Sequence, residues 1–327
     1  MDGATPGDLI AGLTHGHIAA RCLHVVAHFG VADALGDAPA SAAELAARTG
    51  LDADALHRML RLLAAHGVFA HEGGRYVHTP ASRLLRSDHP QSLRSFARMH
   101  GLAPMWGGFT GLAHAARTGA PASGWRAMMR HLRDHPDDGA VFNAAMVAKS
   151  SRVVPAVVDA YDWRSAGRIV DVGGGRGHLL QAILAAAPEA TGVLFELPQV
   201  IAEAADVESN RLALAAGDLF ADPLPAADLY VLMDLLHDWP DADAARILAA
   251  VRRAAAPGAR LLVVETLISD EPGPQFAKLL DVIMLATTGG RERTAAEHGR
   301  LLADAGFRSE RVLPTGSAYS IVEAVAI

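Results

Sequence analysis

The chain has 327 residues, enough for two compact domains, and its 51% hydrophobic and 20% charged residues are typical of a globular protein. The formal charge of −7 argues against a nucleic-acid surface, and no window approaches the ~18 uninterrupted apolar residues of a membrane span. The single cysteine, Cys22, excludes an internal disulfide framework and a cysteine-based zinc site, and the start Met1–Ala4 has no signal-peptide pattern, so a cytoplasmic location is expected.

The first hundred residues have the pattern of a helical domain that includes a small hairpin. Between Ile18 and Phe29 the apolar side chains recur on one helix face, and two further helices are predicted at 41–49 and 52–66. Two short apolar runs at 68–70 and 75–77 flank a glycine turn and predict a β-hairpin. Helices followed by such a hairpin are typical of a winged helix.

A winged helix raises the question of DNA binding, which the charge of this segment opposes. Residues 1–100 contain nine arginines, no lysine and nine acidic residues, so their formal charges sum to zero. A DNA-reading module needs surplus positive charge to displace counterions. We therefore expect residues 1–100 to form a dimerisation domain.

Residues 101–160 have a mostly helical pattern that prolines and glycines interrupt. The segment is rich in aromatic residues and methionines, which suit either core packing or a pocket for a planar ring. Phe142 and Met146 are the candidates for such a pocket. We interpret the segment as a helical connector that contributes to a substrate site.

From residue 166 onward short apolar runs alternate with helical stretches, which indicates a doubly wound parallel sheet in a catalytic domain at 161–327. The tail, around a turn at 315–317, predicts a terminal antiparallel hairpin. The predicted parallel strands are 169–172, 192–197, 212–216, 229–233 and 261–265, with helices at 178–187, 199–205 and 243–256.

A glycine-rich turn follows the first of these strands. Residues 171–177 read D-V-G-G-G-R-G, and Gly173, Gly175 and Gly177 allow a ligand to lie against the backbone where the strand becomes a helix. A dinucleotide site would prefer G-x-G-x-x-G, but position 178 is His178. The shorter spacing suits S-adenosylmethionine (SAM), whose methionine part carries no phosphate.

Two acids end the next two strands. Glu196 lies 21 residues beyond Gly175 at the end of the second strand, where a carboxylate can accept hydrogen bonds from ribose hydroxyls. Asp218 ends the third strand within G-D-L-F. Three neighbouring strand ends that each offer a suitable group predict a nucleoside-cofactor site.

A candidate general base follows the fourth strand. His237 begins H-D-W-P-D just outside the carboxyl end of that strand, where open sheets bind ligands. Glu265 ends the fifth strand, and Glu292 lies in G-G-R-E-R-T. A carboxylate on the far ring nitrogen would fix the histidine tautomer and stabilise the imidazolium that forms on proton uptake.

In combination these motifs resemble SAM-dependent small-molecule O-methyltransferases, the family that includes plant caffeic acid and isoflavone O-methyltransferases and bacterial enzymes of antibiotic biosynthesis. The resemblance covers nearly the whole chain. It implies a Rossmann-like methyltransferase sheet ending in an antiparallel hairpin, preceded by a winged-helix dimerisation domain. It further implies a homodimer without metal that converts SAM to S-adenosylhomocysteine and methylates a phenolic or polyketide-like hydroxyl.

The resemblance also implies roles for individual residues. His237 accepts the proton of the substrate hydroxyl, with Glu265 and Glu292 on either side of its ring. The acceptor-binding residues are Phe142, Met146 and Asp238. The cofactor-binding residues are Asp171, Gly173, Gly175, Gly177, Glu196, Asp218, Leu219, Met233 and Trp239.

The chain departs from the plant pattern at Met233, where a lysine four residues before the histidine helps to hold the cofactor. Two alternatives to O-methylation stay open. The same fold could methylate nitrogen or carbon, or carry out non-methylating chemistry. A SAM-sensing winged-helix regulator is the third hypothesis, which the neutral charge of residues 1–100 disfavours.

Overall fold

The computed structural model describes residues 5–327, which form two compact units. The first unit comprises the chain up to Trp106 together with His131–Lys149, and the second comprises Gly107–Arg130 and Ser150–Ile327. Residues 101–160, expected to form one connector, are therefore divided between the two units. Because Cys22 is the single cysteine of the sequence, no disulfide can join the two units.

The first unit is built mainly from helices around one two-stranded hairpin, in agreement with the winged-helix prediction. Leu56, Leu60 and Leu63 follow the predicted helical spacing and are at most 2% exposed in the core of this unit, which Tyr76 of the hairpin joins. Its elements are α1 (Pro6–His28), α2 (Val31–Leu35), α3 (Ala42–Thr49), α4 (Ala53–Ala65), β1 (Phe69–Glu72), β2 (Arg75–His78), α5 (Pro80–Arg83) and α6 (Arg94–His100).

Helix α1 begins at Pro6, twelve residues before Ile18, the first residue of the predicted apolar helix face. At its start Thr5 and Asp8 form a capping box. Val26 of the predicted apolar face is buried, whereas Ile18 and Phe29 at its two ends are exposed. Three further apolar side chains on α1 are also exposed, namely Leu9, Ile10 and Leu13. Leu9, Ile10 and Leu13 lie within about one turn of α1.

Four helices follow α6: α7 (Ala103–Thr110), α8 (Leu112–Thr118), α9 (Trp125–Asp134) and α10 (Pro136–Ala160). Among residues 5–327 one stretch, Pro136–Asp159 of α10, is long and apolar enough by length and composition to cross a membrane. Core helices of globular proteins meet the same criterion, so this is weak evidence for a membrane segment.

The second unit contains a seven-stranded sheet with the strand order β5-β4-β3-β6-β7-β9-β8. The first five strands in this order are parallel, and the last two add antiparallel to β7. The strands are β3 (Arg168–Val172), β4 (Thr191–Glu196), β5 (Leu212–Ala216), β6 (Leu229–Met233), β7 (Arg260–Thr266), β8 (Phe307–Pro314) and β9 (Tyr319–Ala326). This is the predicted fold class.

Successive side chains of each central strand enter cores on opposite faces of the sheet, as strand geometry requires. In β3, for example, Val170 and Val172 belong to one buried cluster, and Ile169 belongs to the other. The helices of this unit are α11 (His178–Ala186), α12 (Pro198–Glu203), α13 (Asp241–Ala254), α14 (Phe276–Thr287) and α15 (Ala295–Asp304). The sequence analysis did not predict α14. Its apolar residues are spread around the helix, and three of them, Phe276, Leu279 and Val282, are exposed.

Because neighbouring parallel strands end at the same edge, the sheet gathers the residues that follow β3, β4, β5, β6 and β7. The antiparallel strand β9 pairs Tyr319 with Thr266 at the end of β7. All the elements that position the site described next belong to this second unit.

Candidate active site

The glycine turn after β3 has a backbone conformation that residues with a Cβ rarely adopt. Gly173, Gly175 and Gly177 have φ values of 68°, 58° and 73°, in the left-handed region, and Gly177 is the N-cap of α11. A Cβ on Gly174 would lie 2.3 Å from the carboxylate of Asp171. The turn can therefore lie directly over the Asp171 side chain because it consists of glycine.

Asp171 is fully buried, and neither of its carboxylate oxygens has a partner in good hydrogen-bond geometry among residues 5–327; only the Leu180 main-chain N–H approaches the carboxylate, and its effect on the pKa is smaller than that of burial. Burial, with the nearby carboxylate of Glu196 as a second cause, raises the pKa of Asp171 to about 7. A buried acid without a partner destabilises the folded protein unless a ligand supplies a positive or donor group. Asp171 therefore fits a cationic ligand at the glycine turn.

Glu196 at the end of β4 is joined to the same turn. Its Oε2 accepts a hydrogen bond from the Gly175 N–H (3.2 Å), and its Oε1 accepts one from the Leu197 N–H (2.7 Å). Burial raises the pKa of Glu196. Each carboxylate oxygen has a further lone pair, so this side chain can still accept hydrogen bonds from a ligand.

The remaining candidate cofactor residues follow β5 and β6. Asp218 is exposed, and its Oδ1 accepts a hydrogen bond from the Phe220 N–H (2.9 Å). The Trp239 ring meets the Phe220 ring edge to face at 4.7 Å. Leu219 and Met233 are half-buried. The order β5-β4-β3-β6 places all of these residues at the edge that carries the glycine turn.

His237 lies in a 3₁₀ turn directly after β6 and is 3% exposed. Its Nδ1 is 2.7 Å from Glu292 Oε1. A carboxylate can only accept, so Nδ1 carries the hydrogen, and in the neutral ring Nε2 is the proton acceptor. The hydrogen bond of Glu265 goes to the main chain: its Oε1 accepts from the His237 main-chain N–H (2.9 Å).

Glu292 is itself held on two sides. Its Oε2 accepts a hydrogen bond from the Thr266 hydroxyl, and its main-chain N–H donates to Asp281 Oδ1 at 2.9 Å. Burial by itself would lower the pKa of His237, but the hydrogen bond to Glu292 and the neighbouring carboxylates of Asp238, Asp234 and Glu265 outweigh it. The pKa of His237 is raised to about 9.

The Nε2 side of His237 faces two further carboxylates. Asp234 Oδ1 lies 3.8 Å from Nε2, and Asp238 Oδ1 lies 3.9 Å from it. The Tyr319 hydroxyl donates to Asp234 at 2.9 Å from Oδ1 and 3.2 Å from Oδ2. The sequence analysis missed both Asp234 and Tyr319. Asp234 had one available signal, its place between the strand end and His237, whereas Tyr319 becomes a neighbour only through the β7–β9 pairing.

Arg293 and Gly290 fix the turn that carries His237. Arg293 is 1% exposed, and its guanidinium donates to the carbonyl oxygens of Leu236 and Trp239, each at 2.9 Å. A Cβ on Gly290 would lie 1.9 Å from the His237 carbonyl oxygen. The segment that carries Glu292 therefore contacts the His237 turn backbone to backbone.

Behind Glu265 lies a second buried histidine that the sequence analysis did not single out. His298 Nε2 is 3.4 Å from Glu265 Oε2, and neither atom has a hydrogen-bond partner in the described part of the chain. Burial lowers the pKa of His298 to about 4 and raises that of Glu265 to about 7. The lowered pKa of His298 and the raised pKa of Glu265 both favour the uncharged form of the side chain.

Phe142 and Met146 lie half-buried on α10 within the first unit. Their predicted contact with an acceptor stays a prediction. Residues 5–327 contain no group of three or more His, Cys, Asp or Glu side chains that could hold a metal ion.

Comparison with known proteins places this geometry in a family. Residues 113–308 match the model of the O-methyltransferase domain, and residues 11–88 match that of the O-methyltransferase dimerisation domain. Phenazine O-methyltransferase PhzM of Lysobacter antibioticus is 40% identical over 333 residues, which cover 98% of this chain and 97% of that protein.

Two further relatives show the range of acceptors. 8-Amino-8-demethylriboflavin N,N-dimethyltransferase of Streptomyces davaonensis is 35% identical over 319 residues, covering 92% of this chain and 90% of that protein. The crystal structure of the O-methyltransferase NcsB1 from neocarzinostatin biosynthesis, in complex with SAM and 2-hydroxy-5-methyl naphthoic acid, matches with a TM-score of 0.81. It is 35% identical, and the match covers 94% of this chain and 96% of that one.

The close approach of Gly290 predicts that Gly290→Ala displaces His237. A backbone shift near 1 Å at a catalytic group costs about 100-fold in rate, so we expect kcat to fall by about that factor while S-adenosylhomocysteine still binds. The matched control is Gly299→Ala in α15, where the nearest atom to the new Cβ is 3.8 Å away. That variant should keep its activity and gain about 0.5–1 kcal/mol of stability. Equal kcat for the two variants would contradict this account.

The buried carboxyl of Asp171 predicts a pH-dependent stability. Its ordinary pKa is 3.8 and its folded pKa is about 7. Between these values the folded protein holds a proton that the unfolded chain releases, so raising the pH favours unfolding. Asp171→Asn should therefore melt above the wild type at pH 8, with a smaller difference at pH 5, when both are measured by thermal denaturation without ligand.

A second readout connects this effect to the cofactor. S-adenosylhomocysteine should raise the Tm of the wild type more than that of Asp171→Asn, because its ammonium group can meet the buried carboxylate. Asp304→Asn, which removes an exposed acid at the end of α15, is the control for the loss of one charge. A Tm difference between wild type and Asp171→Asn that is the same at pH 5 and pH 8 would contradict the assignment.

Proposed function

The chain belongs to the SAM-dependent O-methyltransferase family, and from that premise we propose that His237 removes the proton from an acceptor hydroxyl while Glu292 orients its ring. The 2.7 Å contact between Nδ1 and Glu292 Oε1 carries this proposal. It fixes the tautomer in which Nε2 accepts a proton, and it places a buried negative charge where the imidazolium forms.

The enzyme uses SAM, and the glycine-turn edge of the sheet fits this cofactor. Asp171 offers a buried carboxyl without a partner to a positive charge, and Glu196 offers lone pairs to hydroxyls. We assign the contacts with the adenine side to Asp218, Leu219, Met233 and Trp239. When bound, SAM supplies an electrophilic methyl group on its sulfonium.

The task left to the protein is positioning and proton removal. A phenol with a pKa near ~10 loses its proton poorly to an imidazole with the ordinary pKa of ~6.5. The carboxylates around His237 raise its pKa to about 9, which narrows this gap. The acceptor proton passes to Nε2, the acceptor oxygen forms its bond to the methyl carbon as the bond from that carbon to sulfur breaks, and S-adenosylhomocysteine leaves.

We propose a hydroxyl on a planar aromatic secondary metabolite as the acceptor. The relatives' names specify a phenazine, an amino-demethylriboflavin and a naphthoic acid, which are all planar ring systems. We propose that Asp238, whose Oδ1 lies 3.9 Å from His237 Nε2, accepts a hydrogen bond from such a molecule. Phe142 and Met146 are assigned to its ring faces, as the motif match implies.

Two further proposals concern the state of the protein. We propose a homodimer, because residues 11–88 match a dimerisation domain and α1 exposes apolar side chains that a second copy would cover. We also propose a cytoplasmic enzyme. The dimerisation match and the neutral charge of residues 1–100 give the DNA-binding hypothesis no support.

Methylation of nitrogen is the second candidate, because a relative at 35% identity is an N,N-dimethyltransferase. The two candidates differ in their need for a base. An amine nucleophile is neutral above its own pKa and does not require His237, whereas a phenol must lose a proton during the reaction.

The decisive experiment incubates the enzyme with methyl-deuterated SAM and a panel of phenols, catechols and anthraquinone-like compounds, with mass spectrometry of the products. Aromatic amines are added to the panel as competing acceptors. We expect a labelled methyl ether. His237→Gln should lower kcat by about 100- to 10,000-fold, the range that general-base catalysis supplies. Calorimetric binding of S-adenosylhomocysteine should be retained.

Two outcomes would contradict this proposal. Full activity of His237→Gln with labelled amine products would identify an N-methyltransferase. Retained binding of S-adenosylhomocysteine without methyl transfer to any compound of the panel would reject the phenolic acceptor class.

The raised pKa of His237 predicts the pH dependence of the reaction. His237 must be unprotonated to accept a proton, so kcat/KM should rise with pH through a midpoint near 9 and level off above that value. Glu292→Gln removes the charge that favours the imidazolium, so the rising limb should move to lower pH and the plateau should fall. If the midpoint of the rising limb is unchanged in Glu292→Gln, the limb reports the ionisation of the acceptor hydroxyl and not that of His237, which would contradict this prediction.

A further inference from the structure

We propose that Asp234 is a specificity-determining residue that binds a hydroxyl or amino donor on the acceptor, next to the hydroxyl that is methylated. The inference rests on the proposed role of His237 as the base that meets that hydroxyl. It adds a second recognition point, so the acceptor is a ring with two adjacent substituents of which the second is a hydrogen-bond donor.

The backbone of Asp234 is the first observation. Its φ of 53° makes it the one non-glycine residue between positions 5 and 327 with a positive φ. Aspartate adopts this conformation more readily than most L-residues but still at a cost in strain, and such strain concentrates at functional sites. Glycine would avoid this cost at the same turn. The strain therefore points to a function of the aspartate side chain.

The second observation is how the side chain is held. The hydroxyl of Tyr319, a residue only 3% exposed, donates to Asp234 at 2.9 and 3.2 Å from its two carboxylate oxygens. The Asp234 main-chain N–H donates to the Val264 carbonyl oxygen at 3.1 Å. Both the backbone and the carboxylate are therefore fixed by neighbouring strands before a ligand arrives, which is how a recognition group is preorganised.

The third observation is the distance to the base. Asp234 Oδ1 lies 3.8 Å from His237 Nε2, too far for a hydrogen bond to the ring. On an aromatic ring, a substituent adjacent to the hydroxyl that binds Nε2 lies within hydrogen-bond distance of the oxygen of that hydroxyl. A substituent on the Asp234 side then comes within reach of that carboxylate. The side chain of Asp234 is 18% exposed and thus accessible to a ligand.

The chemistry of the carboxylate decides which substituent fits. An ionised carboxylate only accepts hydrogen bonds, so it binds a hydroxyl or an amine and opposes a methoxy group, a ketone or a second carboxylate. Asp234, like Glu292, is one of the carboxylates that favour the imidazolium form of His237. Its position on the Nε2 side, where the acceptor arrives, adds the recognition of a donor.

The test compares two probes that differ by one donor, 1-naphthol and 1,2-dihydroxynaphthalene, with SAM as methyl source. We expect the wild type to favour the dihydroxy probe in kcat/KM by at least tenfold, because a hydrogen bond to a charged group is worth about 1.5–3 kcal/mol. Asp234→Asn keeps an oxygen for Tyr319 but loses the charge. It should lower the dihydroxy-to-monohydroxy ratio about tenfold or more.

Two control variants separate the causes. Tyr319→Phe leaves the charge of Asp234 but removes the donor that holds it, so the ratio should fall by a smaller factor. Asp304→Asn removes an exposed acid on α15 and should leave the ratio unchanged. A charge effect on His237 alone would instead make Asp234→Asn slower on both probes by the same factor and leave Tyr319→Phe unaffected.

Proportional losses on both probes would therefore overturn the inference. A wild-type enzyme that prefers 1-naphthol, or that methylates both probes equally, would also overturn it, while the proposed function would stand because methyl transfer was observed. Absence of transfer to both probes and to the whole phenol panel would instead reject the proposed function, and the role of Asp234 with it.

Discussion

The hydrogen bond between His237 Nδ1 and Glu292 is the interaction on which the rest of the site depends. It joins two side chains that are nearly inaccessible to solvent, where an unpaired charge would be costly. Thr266 and Asp281 hold the glutamate, while Arg293 holds the turn that carries the histidine. These contacts leave Nε2 as the proton-accepting atom, so the chemistry follows from how the pair is fixed.

Negative charge accumulates along the carboxyl edge of the sheet, and this arrangement suits the reaction. Asp171 and Glu196 meet at the glycine turn, where burial raises the pKa of each carboxyl and where we propose that the cationic cofactor binds. Asp234 and Asp238 lie beside His237 Nε2, the atom that we propose accepts the proton of the acceptor. A buried acid whose pKa is raised, such as Asp171, is stabilised when positive charge enters beside it.

The sequence predicted the parallel strands to within one or two residues, because strands buried on both faces form continuous apolar runs. It also predicted the family and the cofactor, which the comparisons confirm. It did not predict α14, whose apolar residues do not mark one buried face. It also placed Glu265 beside the His237 ring, whereas Glu265 binds the main-chain N–H of that residue. Spacing along the chain cannot distinguish these two contacts, because both lie at the same strand end.

The sequence by itself determined the glycine turn, the strand-end acids and the histidine, because backbone geometry and strand order dictate these features locally. Only the tertiary structure decided which carboxylate meets which atom. Tyr319 reaches Asp234 from 85 residues away because β9 lies antiparallel to β7. His298 of α15 comes within 3.4 Å of Glu265 of β7 only in the folded chain. Contacts of this kind depend on packing between distant segments, and no local pattern in the chain encodes them.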